Sequence, residues 1–122
     1  MGRPKVMIVD DNNLILEITG DLFREAGFDV IKRNSPLGTS AAVLEEKPHC
    51  ILLDVNMPAL PGDKMVALLK KNKHLESKIF LYSDMCETEL TRLTNETGAD
   101  GYFKKSDDKN HMVEKVRSLI SV

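Results

Sequence analysis

The sequence lacks any hydrophobic stretch long enough for a membrane span or a secretion signal. Its longest unbroken apolar run is Met65 to Leu69, five residues. A membrane span needs about 20 apolar residues, and the core of a signal peptide needs about 7 or more. We therefore expect a soluble protein with no targeting segment and no membrane partner.

Cysteine is scarce, and there is no excess of basic charge. Cys50 and Cys86, the two cysteines, have neither the spacing of a metal site nor the density of a disulfide scaffold. We expect free thiols in a reducing cytoplasm. Seventeen Lys and Arg against nineteen Asp and Glu give a net charge of −2. This balance offers no basic patch, so we expect no nucleic-acid partner.

The chain is too short for two domains that each bury a core. It has 122 residues, of which 42% are hydrophobic and 30% charged, with 7 Gly and 5 Pro. These proportions match neither a disordered nor a collagen-like composition. We predict a single domain over residues 1–122.

Short apolar runs predict five strands. The runs are continuous rather than alternating, which indicates strands that are buried on both faces, as in a parallel sheet covered by helices. They are Val6–Val9, Cys50–Leu53, Ile79–Tyr82 and, more weakly, Gly101–Phe103. A further β-prone piece, Phe28–Ile31, completes the five strands.

Each run is followed by a segment whose apolar residues have the spacing of a helix. In the first helix the predicted apolar face comprises Leu14, Ile15, Ile18, Leu22, Phe23 and Ala26. Asp84, with Glu87 three positions later, resembles a capping box that begins the fourth helix. The other helices are predicted over about 41–46, 63–71 and 108–121. This alternation predicts an α/β fold, a doubly wound five-stranded parallel sheet with right-handed crossovers.

Polar residues follow several of the predicted strands directly. Asp10 and Asp11 follow the first, Asp54 the third and Ser83 the fourth, and Lys105 lies just past the fifth. Ligands of an open parallel sheet bind beyond the carboxyl ends of its strands. We therefore expect three carboxylates, a hydroxyl and an ammonium group to meet at one edge.

Crowded carboxylates repel one another unless a cation neutralises them. Mg²⁺ fits such a cluster better than Ca²⁺, because it takes few protein oxygens and keeps several waters. The sequence thus predicts a magnesium site with coordination positions left for a phosphate.

Each residue also has a purely structural interpretation. Asp11 or Asn12 could cap the helix that begins near Asn13. Ser83 could be a polar strand end, and Lys105 a solvated side chain. Their joint arrival at one edge favours the functional interpretation.

Five segments together resemble the receiver domain of response regulators, the phospho-acceptor module of two-component signalling. The resemblance covers essentially the whole chain and implies a flavodoxin-like (βα)5 fold. The segments are Val6–Asp11, Leu52–Pro58, Pro61–Gly62, Leu81–Ser83 and Gly98–Lys105.

The resemblance implies a phosphorylation site and its metal ligands. Asp54 would be the phosphorylated residue. Asp10 and Asp11 would hold Mg²⁺ together with Asp54, and the backbone carbonyl of Asn56 would complete the protein ligands. A carboxylate nucleophile and dispersed positive charge are what phosphoryl transfer needs.

The resemblance also implies residues that bind and sense the phosphoryl group. Ser83 occupies the position of the hydroxyl that meets this group, and Tyr102 that of the aromatic switch. Lys105 occupies the position of the lysine that pairs with the phosphoryl group. Strand alternation also selects Lys105 over Lys104, since residues 103 and 105 point to one side and 102 and 104 to the other.

Partners follow from the same resemblance. The donor would be a phosphohistidine on a sensor histidine kinase or phosphotransfer protein, or a small phosphodonor. Phosphorylation would shift a surface that a downstream protein target binds. Such a protein catalyses its own phosphoryl transfer and dephosphorylation without turning over an external substrate.

Two residues depart from the family pattern. Ser106 follows Lys105 where the family usually has proline, often with a cis bond. Since a cis bond before a residue other than proline costs about 3 kcal/mol, we expect a trans bond here. Asp84 follows Ser83 where a small residue is usual, and we expect its carboxylate to cap the next helix.

Two other functions compete with this interpretation. A magnesium-dependent phosphatase of the dehalogenase type also places an aspartate after a strand. It needs a second acid two residues later, where this chain has Asn56. The other alternative is a pseudo-receiver that is never phosphorylated and acts as a protein-interaction module.

Overall fold

Strands and helices alternate along the chain from end to end. A computed structural model describes residues 2–120. Its elements are β1 (Lys5–Val9), α1 (Asn13–Glu25), β2 (Asp29–Arg33), α2 (Thr39–Glu46), β3 (Cys50–Asp54), α3 (Gly62–Lys70), β4 (Lys78–Ser83), α4 (Glu87–Thr97), β5 (Gly101–Lys104) and α5 (Lys109–Leu119).

The five strands form one parallel sheet in the order β2-β1-β3-β4-β5. From β1 the chain steps first to β2 at one edge and then back across β1 to β3. The strand order therefore reverses between β1 and β3, and a crevice opens there at the carboxyl ends of these strands. The predicted α/β, doubly wound fold is confirmed.

Two apolar layers cover the sheet because side chains alternate along each strand. Ile8, Leu52 and Phe80 point to one face and pack with residues of α1 and α5. Leu53 and Leu81 point to the other face and pack with residues of α3 and α4. The central strands are buried on both faces, which explains their continuous apolar runs.

The predicted apolar face of α1 is partly wrong. The side chain of Leu14 is 66% exposed and that of Ile18 is 42% exposed, whereas Thr19 and Gly20 face the sheet. A Cβ at Gly20 would lie 3.0 Å from Lys32 Cδ. Because glycine lets the helix approach β2 so closely, the helix turns its small residues toward the sheet. Two of its larger residues are thereby turned toward solvent.

The predicted capping box of α4 is wrong. The helix begins at Glu87, its N-cap is Cys86, and no side chain bonds to the first turn as a cap. The exposed Asp84 lies two residues before that N-cap. The Ser83 hydroxyl instead accepts the Met85 N–H at 3.1 Å. Acidic residues of the first turn, including Glu87, interact favourably with the helix dipole.

The remaining predicted elements differ from the observed ones by a few residues at their ends. The second helix begins at Thr39 rather than 41, and the second strand extends to Arg33. Asp108 caps α5 by accepting the Asn110 N–H, and the predicted end of that helix at Ser121 lies outside the described residues. No helix within residues 2–120 is long and apolar enough to cross a membrane.

Candidate functional site

Three carboxylates meet at the carboxyl edge of the sheet. Each of Asp10, Asp11 and Asp54 offers an oxygen, and these oxygens all lie within 4.8 Å of one another. Asp10 and Asp54 are buried, whereas Asp11 is exposed. The cluster therefore has two covered acids and one that faces solvent.

Strand alternation explains why these side chains converge. Asp10 and Asp54 each lie two residues beyond an apolar residue, Ile8 and Leu52, on the face covered by α1 and α5. Lys105 lies two residues beyond Phe103 on the same face. The neighbouring Lys104 is paired with Ser83 in the sheet register and belongs to the opposite face.

The Lys105 ammonium group lies between the two buried acids. Its Nζ is 2.7 Å from Asp10 Oδ2 and 3.6 Å from Asp54 Oδ1, and the side chain is 13% exposed. Burial by itself would lower the pKa of Lys105, but the Asp10 and Asp54 carboxylates outweigh burial and raise it. The lysine is therefore charged throughout the physiological pH range.

The backbone around Lys105 is held on both sides. Its N–H donates to the Ser83 carbonyl at 3.0 Å, and its own carbonyl accepts from Lys109 Nζ at 2.6 Å. No peptide bond within residues 2–120 is cis. The bond to Ser106 is thus trans, as its energetic cost predicts, and Lys105 still lies against both acids.

The Asp54 carboxyl is the most perturbed acid of the cluster. Burial raises its pKa from the ordinary value of 3.8 to about 6, and the charge of Asp10 adds to this effect. The Asn56 N–H, which donates to Oδ1 at 3.1 Å, and Lys105 oppose it. The side chain is only 5% exposed. A bound cation would favour the ionised form of this carboxyl and so oppose the rise in its pKa.

The Oδ2 atom of Asp10 is buried and accepts no hydrogen bond from any group within residues 2–120. It forms the 2.7 Å ion pair with the Lys105 ammonium group. Its other oxygen accepts the Asn12 N–H at 2.9 Å. A buried carboxylate oxygen that accepts no hydrogen bond beyond its ion pair and lies next to two other carboxylates suits a hard divalent cation with oxygen ligands. The residues present therefore fit the predicted Mg²⁺.

Asn12, not Asp11, caps α1. Its side chain accepts from the N–H groups of Leu14 and Ile15 at 3.0 and 3.2 Å. Of the two capping candidates, Asn12 satisfies the helix terminus, so Asp11 is left free for a cation.

Ser83 and Tyr102 lie on the opposite face of the sheet from the two buried acids. Their strand neighbour Leu81 packs in the layer with α3 and α4, and Tyr102 packs against that layer. The Tyr102 hydroxyl donates to Glu87 Oε1 at 2.9 Å and lies 3.4 Å from Thr91 Oγ1. In this structure Tyr102 is thus bound to α4.

Gly62, in the Pro61–Gly62 segment, positions the backbone at the end of β3. Gly62, the first residue of α3, lies against the end of β3. A Cβ there would lie 2.5 Å from the Asp54 carbonyl oxygen and 2.9 Å from Val55 Cα. The Gly62 N–H also donates to the Val55 carbonyl at 3.1 Å. Only glycine permits this approach, which fixes the backbone that carries Asp54.

Sequence reasoning missed two further residues at the site, Tyr82 and Thr19. The sequence predicts Tyr82 only as part of an apolar strand, yet its ring faces the Lys105 ammonium group. Thr19, on α1, lies within hydrogen-bond distance of the Tyr82 hydroxyl. A tyrosine at the end of a buried strand was the available signal, because a buried hydroxyl requires a partner.

Comparisons with known proteins identify the family and the fold of the chain. The model of the response regulator receiver domain family matches residues 6–117. Sporulation initiation phosphotransferase F of Bacillus subtilis is 24% identical over 98% of this chain and 96% of its own length. A cyclic di-GMP phosphodiesterase of Thermotoga maritima is 31% identical over 82% of this chain, which spans only 26% of that protein. The chemotaxis protein CheY4 of Vibrio cholerae has the same fold, with a TM-score of 0.88 at 20% identity over 98% of this chain and 100% of that structure.

Proposed function

The chain belongs to the response regulator receiver domain family, and we propose that Asp54 is its phospho-acceptor. The observation that carries this proposal is the position of the Asp54 carboxyl, which lies beside Asp10, Asp11 and the Lys105 ammonium group. A receiver domain acts in two-component signalling. Asp54 would take a phosphoryl group from a phosphohistidine of a sensor histidine kinase or a phosphotransfer protein, in the cytoplasm.

The two oxygens of Asp54 have different roles in this proposal. Oδ1 accepts the Asn56 N–H and faces Lys105, whereas Oδ2 accepts no hydrogen bond within residues 2–120. We assign the attack to Oδ2. The new O–P bond forms as the P–N bond of the donor breaks, and its electron pair leaves with the imidazole. Water later attacks phosphorus and releases inorganic phosphate, which restores the carboxylate.

Mg²⁺ would be held by Asp10, Asp11, Asp54 and the Asn56 carbonyl. When it is bound, it supplies charge neutralisation for the phosphoryl oxygens. Asp10 contributes its unpartnered buried oxygen, and Asp11 contributes from the solvent side. The Lys105 ammonium group, which now contacts Asp10 and Asp54, would pair with a phosphoryl oxygen.

The signal would pass through Ser83 and Tyr102. The Ser83 hydroxyl accepts the Met85 N–H at present, and it would turn toward the phosphoryl oxygens. Tyr102 would then leave Glu87 and turn inward, into the space that Ser83 vacates. The face built from α4, β5 and α5 would change and would bind a downstream protein target.

Intact-mass measurement after incubation with Mg²⁺ and acetyl phosphate tests the acceptor. The wild type should gain one phosphoryl group, and Asp54→Asn should gain none. Asp100→Asn, a matched variant at the other edge of the sheet, should gain as much as the wild type. Equal gain in Asp54→Asn would refute the assignment, and no gain in the wild type would favour a pseudo-receiver.

A further inference from the structure

A tyrosine ring lies beneath the Lys105 ammonium group. The centroid of the Tyr82 ring is 5.7 Å from Lys105 Nζ, within the distance of about 6 Å at which an aromatic face attracts a cation. Asp10 and Asp54 contact the same ammonium group from other directions. Three side chains therefore define where this charge lies.

The ring is itself held in place. Tyr82 and Thr19 are both fully buried, and their hydroxyl oxygens are 3.0 Å apart. This hydrogen bond links α1 to β4 and fixes the end of the ring that lies farthest from the backbone. Tyr82 is also the partner of Asp54 in the register of β3 and β4. The ring thus stands beside the proposed acceptor on the same face of the sheet.

The backbone restrains the direction of the Lys105 side chain less strongly than these side-chain contacts do. Its peptide hydrogen bonds to Ser83 and Lys109 fix the main chain, but the four-carbon side chain beyond Cα keeps its own rotamer freedom. Ser106 has no ring to fix its own φ, and it restricts the backbone of Lys105 before it less than proline would. Contacts of the side chain must therefore direct the ammonium group.

We propose that Tyr82, oriented by Thr19, is a positioning residue that directs the Lys105 ammonium group toward the acceptor side chain. The proposal rests on the proposed function of Asp54 and Lys105. The ring offers an attraction that persists when the two acids are engaged by a cation. It therefore keeps the ammonium group beside Asp54 when Asp10 and Asp54 no longer neutralise it alone.

NMR of the lysine side chain, with Tyr82→Phe and Tyr82→Leu as a matched pair, tests the position directly. Ring currents should shift the Lys105 ε-methylene protons upfield in the wild type and in Tyr82→Phe, which retains the ring. Tyr82→Leu should lose this shift. An unchanged Lys105 shift in Tyr82→Leu would overturn the proposal.

Phosphorylation kinetics with acetyl phosphate and Mg²⁺ test the consequence. The maximal rate should fall roughly twofold to fivefold in Tyr82→Leu, the equivalent of one cation–π contact. The affinity for Mg²⁺ should stay unchanged, because the Tyr82 side chain hydrogen-bonds to Thr19 and not to a proposed metal ligand. Tyr82→Phe keeps the ring but loses the hydrogen bond to Thr19, so its rate should fall less than that of Tyr82→Leu. A normal rate in Tyr82→Leu would contradict the proposal.

If Tyr82→Leu does not fold, fluorinated phenylalanines at position 82 test the contact instead. They preserve the ring shape while successive fluorines weaken its attraction for a cation, so the rate should fall stepwise along the series. A flat series would mean that the ring only fills space. The methylene shift reports the contact whether or not the protein is phosphorylated. A preserved shift without phosphorylation of the wild type would therefore contradict the proposed function alone.

Discussion

The two edges of the sheet use their polar residues in opposite ways. At the amino edge, Asp100 Oδ2 accepts the Ile79 N–H at 2.8 Å and His49 Nδ1 accepts the Lys5 N–H at 2.9 Å. Ser77 donates its hydroxyl to the Pro48 carbonyl. Each of these side chains satisfies a backbone group, so this edge is arranged for stability.

At the carboxyl edge the polar side chains face one another instead. Asp10, Asp11 and Asp54 crowd together with the ammonium group of Lys105 among them. The crowding and burial raise the pKa of Asp54. Such unfavourable electrostatics are typical of functional sites, where stability is given up for chemistry.

Concavity alone would point to the amino edge. A cavity of about 610 Å³ lies at the amino edge, between the end of α2, the start of β4 and the end of α5, and includes His49 and Ser77 in its walls. Both of those side chains are bonded to backbone groups. The acid cluster at the opposite edge is therefore the better indicator of where chemistry occurs.

The largest effect should come from filling the space between α3 and the end of β3. Gly62→Ala places a methyl group against the Asp54 carbonyl oxygen and Val55 Cα, and the backbone must move. We expect a loss of about 3 kcal/mol in the free energy of unfolding, measured by urea titration. Ala67→Gly, on the exposed side of the same helix, should cost only about 1 kcal/mol. Equal losses would show that the close approach at Gly62 is not important.

Mg²⁺ should stabilise the carboxyl edge. A cation at 100 times its dissociation constant adds about 2.7 kcal/mol to the stability of a protein that binds it only when folded. Thermal unfolding of the wild type and of Asp100→Asn should shift upward with Mg²⁺, while Asp11→Asn should respond much less. A full response in Asp11→Asn would place the cation elsewhere.

In the absence of Mg²⁺, removing one acid at each edge should change the free energy of unfolding in opposite directions. Asp54→Asn removes an unfavourable charge and should stabilise the protein at pH 7, on the order of 2 kcal/mol. Asp100→Ala leaves the Ile79 N–H without its acceptor and should destabilise by about 1–3 kcal/mol. Chemical denaturation at pH 7 measures both, and a loss of stability in Asp54→Asn would contradict the raised pKa.

The pH dependence of Asp54→Asn sharpens this comparison. The folded protein holds a proton on Asp54 up to pH about 6, whereas the unfolded chain loses it near pH 3.8. The contribution of Asp54 to stability is therefore fully present below pH 3.8 and is lost as the pH rises through about 6. The stability difference between Asp54→Asn and the wild type should grow over that interval and stay constant above it.

The smallest effect concerns the exposed carboxylate that follows β4. Asp84 caps no helix and lies next in the chain to Ser83, so its charge should repel a small anionic donor. Asp84→Asn should raise the rate of phosphorylation by acetyl phosphate about twofold at low salt and lose this advantage at high salt. Asp29→Asn, the same charge change at the amino edge, should have no effect. A gain that persists at high salt would indicate a cause other than charge.

Pattern alone was enough to predict the sheet and the polar residues that lie at its carboxyl edge. Three of the five predicted strands, β1, β3 and β4, are buried runs whose ends are followed by polar residues of the site. Alternation predicted the opposite faces on which Lys105 and Lys104 lie. The face of α1 and the cap of α4 were mispredicted. A glycine contact with β2 determines the first, and competition from the Ser83 hydroxyl accompanies the second. The first depends on Lys32, which is distant in the chain from Gly20. The second involves Ser83, which precedes the four residues of the predicted capping box.

Local sequence determined the order of elements and the types of residue at the strand ends, because hydrophobic periodicity and strand polarity act over a few neighbouring residues. Only the tertiary structure decided how deeply Asp54 is buried. It also brought Tyr82 of β4, with its partner Thr19 of α1, against Lys105 beyond β5. Burial and side-chain contact depend on segments that are far apart in the chain. No local pattern specifies how such segments pack against each other.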